Sequence, residues 1–244
     1  MKAVGYQKSL PVDDANSLVD FETVPESPDY DRAYWGQRCY AMAALPNCDP
    51  DEAERLIAPL RNLGPKVADF SGRMAYGDLQ KLFDAMHPAG QFRCYWKSHF
   101  LKTLTDEMID EALDNAIANP SDHSISSLWN FGGAVSAVPA EATAFGARDF
   151  GWMYSLDSAW QRPEDDAMVR AWTRAAWERF RRHAHERRLY LNFAGQDEDS
   201  PDLTRDAFGS TFDKLAAIKA VYDPTNRFRF NQNIPPIAAK PDGR

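Results

Sequence analysis

Apolar and polar positions alternate along residues 91 to 100. Phe92, Cys94, Trp96 and Ser98 fall on one side of an extended chain, and Arg93, Tyr95, Lys97 and His99 on the other. Three more stretches read as strands: Tyr34 to Leu45, Ser124 to Phe131 before the Gly132-Gly133 turn, and Phe150 to Leu156. A short strand is expected over Leu189 to Ala194. Between them the period changes to that of a helix. Asp49 caps a helix with Pro50 at its first position, and Leu56, Ile57, Leu60 and Leu63 form its apolar face. Pro59 should shorten it, and Gly64 should stop it. A second short helix places Leu79, Leu82, Phe83 and Met86 on one face. Thr105 opens another, with Ile109, Leu113 and Ile117 inward. The longest starts at Pro163 and carries Val169, Trp172, Ala176 and Phe180. Its acidic start and basic end both complement the helix dipole. The last helix lines up Phe208, Phe212, Leu215, Ile218 and Tyr222 and ends at Asp223-Pro224.

Alternating strands suit an antiparallel sheet with one covered face better than a parallel sheet buried on both. The expected class is therefore α+β, an antiparallel β-sheet covered on one face by α-helices. Its other face is where chemistry is expected. Residues 1–29, punctuated by Pro11, Pro25 and Pro28, read as a polar arm. The domain proper then runs over 30–221, followed by a distinctive run over 222–236 and a tail over 237–244.

Charge narrows the partners. With 28 basic and 36 acidic residues the net charge is -8, which disfavours nucleic acid and anionic membranes. No apolar run approaches the roughly 20 residues that span a bilayer, and the first residues lack the apolar core of a secretion signal. Cys39, Cys48 and Cys94 have neither disulfide nor zinc spacing and suit a reducing compartment, so a cytoplasmic location is expected. Glycine-rich phosphate loops and nucleophile elbows are absent from the sequence.

Three places carry candidate chemistry. The first is the polar strand side Arg93, Tyr95, Lys97 and His99, whose spacing alone favours a solvated sheet face over a pocket wall. Tyr190 and Asn192 form the second, a phenol beside an amide that both donates and accepts. The third is YDPTNRFRFNQNIPP, residues 222–236, in which Asn231, Gln232 and Asn233 offer three adjacent carboxamides. Burying them is costly unless something bonds to them. A ligand rich in donors and acceptors would do so; an exposed, self-bonded loop is the alternative.

That last run resembles the C-terminal signature of berberine-bridge-enzyme-like FAD-linked oxidases, in the vanillyl-alcohol oxidase superfamily. Further segments resemble the same family in the same order: RLIAPLRNLGPKVADF, the stretch ending CYWKSHFL, NFGGAVSAVPAEATAFGARDFGWMYSLDSAW, and YLNFAGQDE. The resemblance covers about residues 30–236 and only the substrate-domain half of the family. Its N-terminal FAD domain, with the Gly-rich loop and the covalent anchors, finds no counterpart here. Two positions depart from the family pattern: Phe193 stands where many relatives carry Tyr, and Ala144-Phe145-Gly146-Ala147-Arg148 replaces a P-F-P-H-R run.

The resemblance implies hydride transfer from an alcohol, sugar or aromatic natural product to FAD, with the FAD domain supplied elsewhere. It implies Tyr190 as the catalytic residue. Asn192, Asn231, Gln232 and Asn233 would lie towards the flavin, and Tyr95, Lys97, His99 and Trp129 would line the substrate side. Expected partners are a small-molecule substrate and either a separate FAD-binding chain or a second copy of this chain. A non-catalytic module that binds a small molecule or dimerises is the alternative.

Overall fold

A computed structural model describes residues 2–10, 15–46, 48–81, 84, 88–184, 188–194, 201–230 and 232–237. Five strands form one sheet in the order β2-β1-β4-β5-β3, every neighbouring pair antiparallel. They are β1 (Ala15–Thr23), β2 (Arg38–Pro46), β3 (Arg93–Leu101), β4 (Ile125–Asn130) and β5 (Trp152–Trp160). Eight α-helices complete the described fold: α1 (Lys2–Ser9), α2 (Pro50–Ile57), α3 (Tyr76–Leu79), α4 (Asp106–Ala118), α5 (Ala134–Ala137), α6 (Asp166–Phe180), α7 (Pro201–Phe208) and α8 (Phe212–Tyr222). The class is α+β, as expected. No described helix is long and apolar enough to cross a membrane.

The capping signals act as their chemistry requires. Asp49 accepts from the Asp51 N–H at the start of α2, and α2 gives way to a 3₁₀ turn at Ala58, one residue before Pro59. Thr105 caps α4 by accepting from the Met108 N–H. One sheet face packs on α1, α4 and α6. There Val19, Phe21, Leu101, Leu128, Tyr154 and Leu156 meet Ile109, Ala112, Ala176 and Phe180 in the main core. The Phe180 ring stacks on Tyr154 with centroids 4.0 Å apart. Several polar atoms in this core are paired: Asn115 donates to the Tyr154 hydroxyl (3.1 Å), and the Ser158 and Thr173 hydroxyls bond at 2.7 Å.

Several expectations are corrected. Residues 1–29 are no arm. They hold α1 and β1, and β1 lies inside the sheet between β2 and β4. Gln7 of α1 braces it by donating to the carbonyls of Ser17 and Leu128. In α4 the inward residues are Met108, Ile109, Ala112 and Ala116, whereas Ile117 points out at 61% exposure. The final helical stretch is two helices with a turn at Gly209. In α8 only Phe212 and Ala216 are buried, and Ile218 and Tyr222 face outwards. Leu189–Ala194 is no strand but a 3₁₀ turn over Leu191–Phe193. Leu82, Phe83 and Met86 lie outside the described residues.

Candidate functional site

Register assigns every strand side chain to a face. Tyr95, Lys97 and His99 pair with Ser158, Leu156 and Tyr154, which belong to the helix-packed face. They are therefore buried beneath α6, neither solvated nor on the open face. The Tyr95 hydroxyl accepts from Arg174 Nε at 3.0 Å. Lys97 Nζ lies 3.9 Å from the centroid of the Trp177 ring. His99 stacks on the same ring at 4.7 Å, and its Nε2 bonds the Trp177 carbonyl at 2.9 Å. Burial pushes the His99 imidazole down to about 4, so it is neutral near pH 7 and its Nε2 is the donor. Arg93 forms a two-pronged pair with Asp166 at the start of α6, at 2.5 and 2.7 Å. The physical reason for the correction is helix α6. It lies across the polar side of β3 and supplies aromatic and carbonyl partners that strand alternation alone cannot reveal.

The opposite face, open only in the sense that α1, α4 and α6 lie on the other side, has mostly buried side chains and carries different chemistry. On it lie Leu18, Asp20 and Glu22 of β1; Ile125, Ser127 and Trp129 of β4; Met153, Ser155 and Asp157 of β5; and Trp96, Ser98 and Phe100 of β3. The open-face positions of the five strands hold no Lys, Arg or His. Asp20, Ser127 and Ser155 form one row across the sheet. Ser127 donates to Asp20 at 2.5 Å. Trp129 Nε1 donates to Ser155 Oγ (3.3 Å), which donates on to Asp157 Oδ2 (3.3 Å). The other oxygen, Asp157 Oδ1, is buried without a hydrogen-bond partner. Burial pushes Asp20 up to about 6, with the Ser127 bond opposing. Burial and the Asp20 charge push Glu22 up to about 7 and Asp157 well above the usual carboxylate range.

An aromatic bracket stands over these acids. Phe193 meets Trp96 edge-on at 5.3 Å and Trp129 at 6.2 Å. The turn that carries Phe193 is tied to β3 where the Tyr190 N–H donates to Ser98 Oγ at 3.0 Å. Half-buried Tyr190 packs among Phe100, Phe131, Phe145 and Phe193, and its hydroxyl accepts from Asn192 Nδ2 at 2.9 Å. Tyr190, Asn192 and Trp129 are thus brought to one margin of the open face. The acids Asp20, Glu22 and Asp157 join them unforeseen. The available signal was a carboxylate inside each of two extended apolar runs, LVDFE and YSLDSAW.

The C-terminal run folds around Asp223. Its carboxylate accepts from the N–H groups of Arg227 (2.7 Å) and Phe228 (3.0 Å) and pairs with Lys219 at 2.9 Å. These backbone donors and the Lys219 ammonium hold it down at about 2. Asn226 takes the positive φ of 51° that closes the turn. Gln232 and Asn233 are half-buried, and Asn233 Oδ1 is buried without a donor. Asn231 lies outside the described residues. Among the described residues no hydrogen bond joins these amides to Tyr190, Asn192 or the open face.

Residues 189–235 match the family model described as berberine and berberine like. This match covers the Tyr190 turn and the C-terminal run together. Among the curated proteins that the chain resembles are several named FAD-linked oxidoreductases. The chain is 28% identical over 196 residues to the uncharacterised FAD-linked oxidoreductase YvdP of Bacillus subtilis, covering 76% of this chain and 41% of that protein. Its fold superposes on berberine bridge enzyme from Eschscholzia californica with a TM-score of 0.75 at 16% identity, covering 98% of this chain and 53% of that one. Phl p 4, a grass pollen allergen with glucose dehydrogenase activity, gives a TM-score of 0.70 at 18% identity over 98% of this chain and 51% of the other. The chain thus spans about half the length, or less, of the proteins it matches. For FAD, the residues present fit one part of the group. The orphaned Asn233 Oδ1 can accept from the imide N–H of a flavin ring, whereas the sequence holds no Gly-rich turn for a diphosphate.

Proposed function

We propose that this chain is the substrate-side part of an FAD-dependent oxidoreductase that oxidises an alcohol, sugar or aromatic natural product, with the FAD-binding unit lying beyond these residues. The observation that carries this reading is the Tyr190–Asn192 pair at the aromatic margin of an open sheet face, in a chain that resembles FAD-linked oxidoreductases. Bound FAD would supply the hydride acceptor. Tyr190, as its phenolate, would take the hydroxyl proton of the substrate and end as the neutral phenol, and the Asn192 amide N–H would stabilise the phenolate oxygen before that transfer. Trp96, Trp129 and Phe193 would exclude water and orient the ring or chain of the substrate. Gln232 and Asn233, with Asn231, would meet the flavin edge.

An exposed apolar strip supports a missing covering unit. Phe228 and Phe230 are 82% and 86% exposed, and Val221 and Tyr222 beside them are also exposed. Large apolar side chains exposed this far are what an interface would cover. An FAD-binding unit fits it, because the proteins matched are about twice as long.

The test mixes the chain with FAD and the isolated FAD-binding half of a relative, removes free FAD by gel filtration, and follows flavin bleaching in the protein fraction anaerobically with an alcohol substrate. A yellow complex should form and bleach. Tyr190→Phe should keep the yellow complex and slow bleaching about 10²-fold or more. An unchanged rate removes Tyr190 from this role, and a colourless mixture removes the flavin reading.

A further inference from the structure

The turn that carries Tyr190 and Asn192 is held at two places. Its backbone is tied to β3 where the Tyr190 N–H donates to Ser98 Oγ. Two residues before Tyr190, the half-buried Arg188 reaches the other way. Its Nη1 donates to the Gly146 carbonyl at 3.3 Å. Its guanidinium also lies flat against Gly209. A Cβ placed on that glycine would stand 2.5 Å from Cζ, 2.5 Å from Nη2 and 2.6 Å from Nη1, distances equal enough to put it over the face of the fork. Gly209 has a φ of 55°, so two separate requirements exclude a side chain there. Gly146 is met as closely. A Cβ on it would come within 2.9 Å of the Phe208 carbonyl oxygen and 3.4 Å of Arg188 Nη1. Thr211, 2% exposed, closes the same junction by donating between the carbonyls of Ala144 and Phe208, at 3.1 and 2.8 Å.

This junction bears on the phenol. Phe145 sits between the anchored carbonyls of Ala144 and Gly146, and its ring stands edge-on to that of Tyr190, with centroids 6.3 Å apart and 88° between the planes. Arg188 therefore holds both sides of one contact: the turn that carries Tyr190 and the segment that carries Phe145. A planar guanidinium can lay its face on one backbone while donating in its own plane to another, which an ammonium cannot. We propose that Arg188 is a positioning residue for Tyr190, fixing the phenol against Phe145 by bridging Gly146 and Gly209. This rests on Tyr190 taking the substrate proton, as proposed above.

The experiment uses the intact chain without flavin, its tyrosine rings labelled with carbon-13, and a proton–carbon NMR spectrum of each variant. Tyr190 is the signal that Tyr190→Phe removes. In the native chain the surrounding rings should displace it from the position of free tyrosine. Arg188→Lys, which keeps the charge and loses the plane, should move that signal at least halfway to the free position. The other tyrosine signals should stay in place, which reports an intact fold. Gly209→Ala should move it in the same direction, because its methyl group takes the space of the guanidinium. Combined with Arg188→Ala, Gly209→Ala should add nothing to the displacement that Arg188→Ala causes alone. In the complex with the FAD-binding half, Arg188→Lys should keep the yellow colour and the KM and slow bleaching about tenfold. A lowered melting temperature with the Tyr190 signal unmoved, or additive displacements in the double variant, makes Arg188 a structural residue only and overturns the proposal. Unchanged bleaching in Arg188→Lys overturns it too. Unslowed bleaching in Tyr190→Phe is a distinct result, which removes the phenol's role and the positioning role with it, whatever the spectra show.

Discussion

On the helix side of the sheet, Lys97 and His99 are buried against Trp177 with carbonyl and ring partners. On the other side, Asp20 and Asp157 are buried with serine hydroxyls for company and no cation. The two sides share strands, register and twist, and differ in what lies above them. A helix can bring aromatic rings and carbonyls to every polar group beneath it. The other face is met by the turn of Tyr190 and Phe193, which brings rings but no cation, so its buried acids are held towards their protonated form. The first side is built for stability, whereas the second stores unfavourable electrostatics. Uncompensated groups of this sort gather at functional sites.

Mutating the helix side should have the largest effect. Phe180→Ala removes a fully buried ring stacked on Tyr154 and should cost about 3–5 kcal/mol in urea unfolding. A loss below about 1 kcal/mol would break the claim that this side holds the main core. The dependence on pH comes next. Asp20 and Glu22 titrate higher folded than unfolded, so their contribution is intact below about pH 4 and is lost as the pH rises through about 6 and 7. Asp157 acts in the same direction. His99 works oppositely: held at about 4 against an ordinary 6.5, it withdraws stability as the pH falls from 6.5 to 4. Three acids outweigh one imidazole, so the melting temperature should fall between pH 5 and pH 8. A steady rise across that range would show the acids to be compensated after all.

Asp20→Asn sharpens the same contrast at one residue. It should stabilise the chain by about 1–3 kcal/mol at pH 8 and leave it unchanged near pH 3, where the carboxyl is protonated in both the folded and the unfolded chain. Stabilisation at both pH values would point to packing in place of charge. The smallest effect belongs to Ile117→Lys on α4, within about 0.5 kcal/mol, because that side chain faces away from the sheet. A large loss there would place a partner surface on α4.

How much was legible varied with how local the signal was. Asp49, Pro50, Thr105 and Pro59 act within a few residues of themselves, and the α2 and α4 boundaries followed from them. Ala15–Thr23 was missed. Its run of Asn16, Ser17, Asp20 and Glu22 among prolines looks like an arm until β2 and β4 pair with it on both sides. Leu189–Ala194 alternates like a strand, yet among the described residues it does not pair with the edge strand β3. Ser98 holds its backbone at a single point, and the chain turns. The Tyr190–Asn192 pair was foreseen as a strand-face neighbour relation and arises instead from that turn.

The sequence by itself determined the helix caps, the alternation that demands an antiparallel sheet, and the aspartate-centred C-terminal run, because each depends on bonds between residues close along the chain. Only the tertiary structure decided which side of the sheet is covered. That depends on where α4 and α6 land, and their landing places Lys97 and His99 under the Trp177 ring and carbonyl and leaves the acids on the face with no cation.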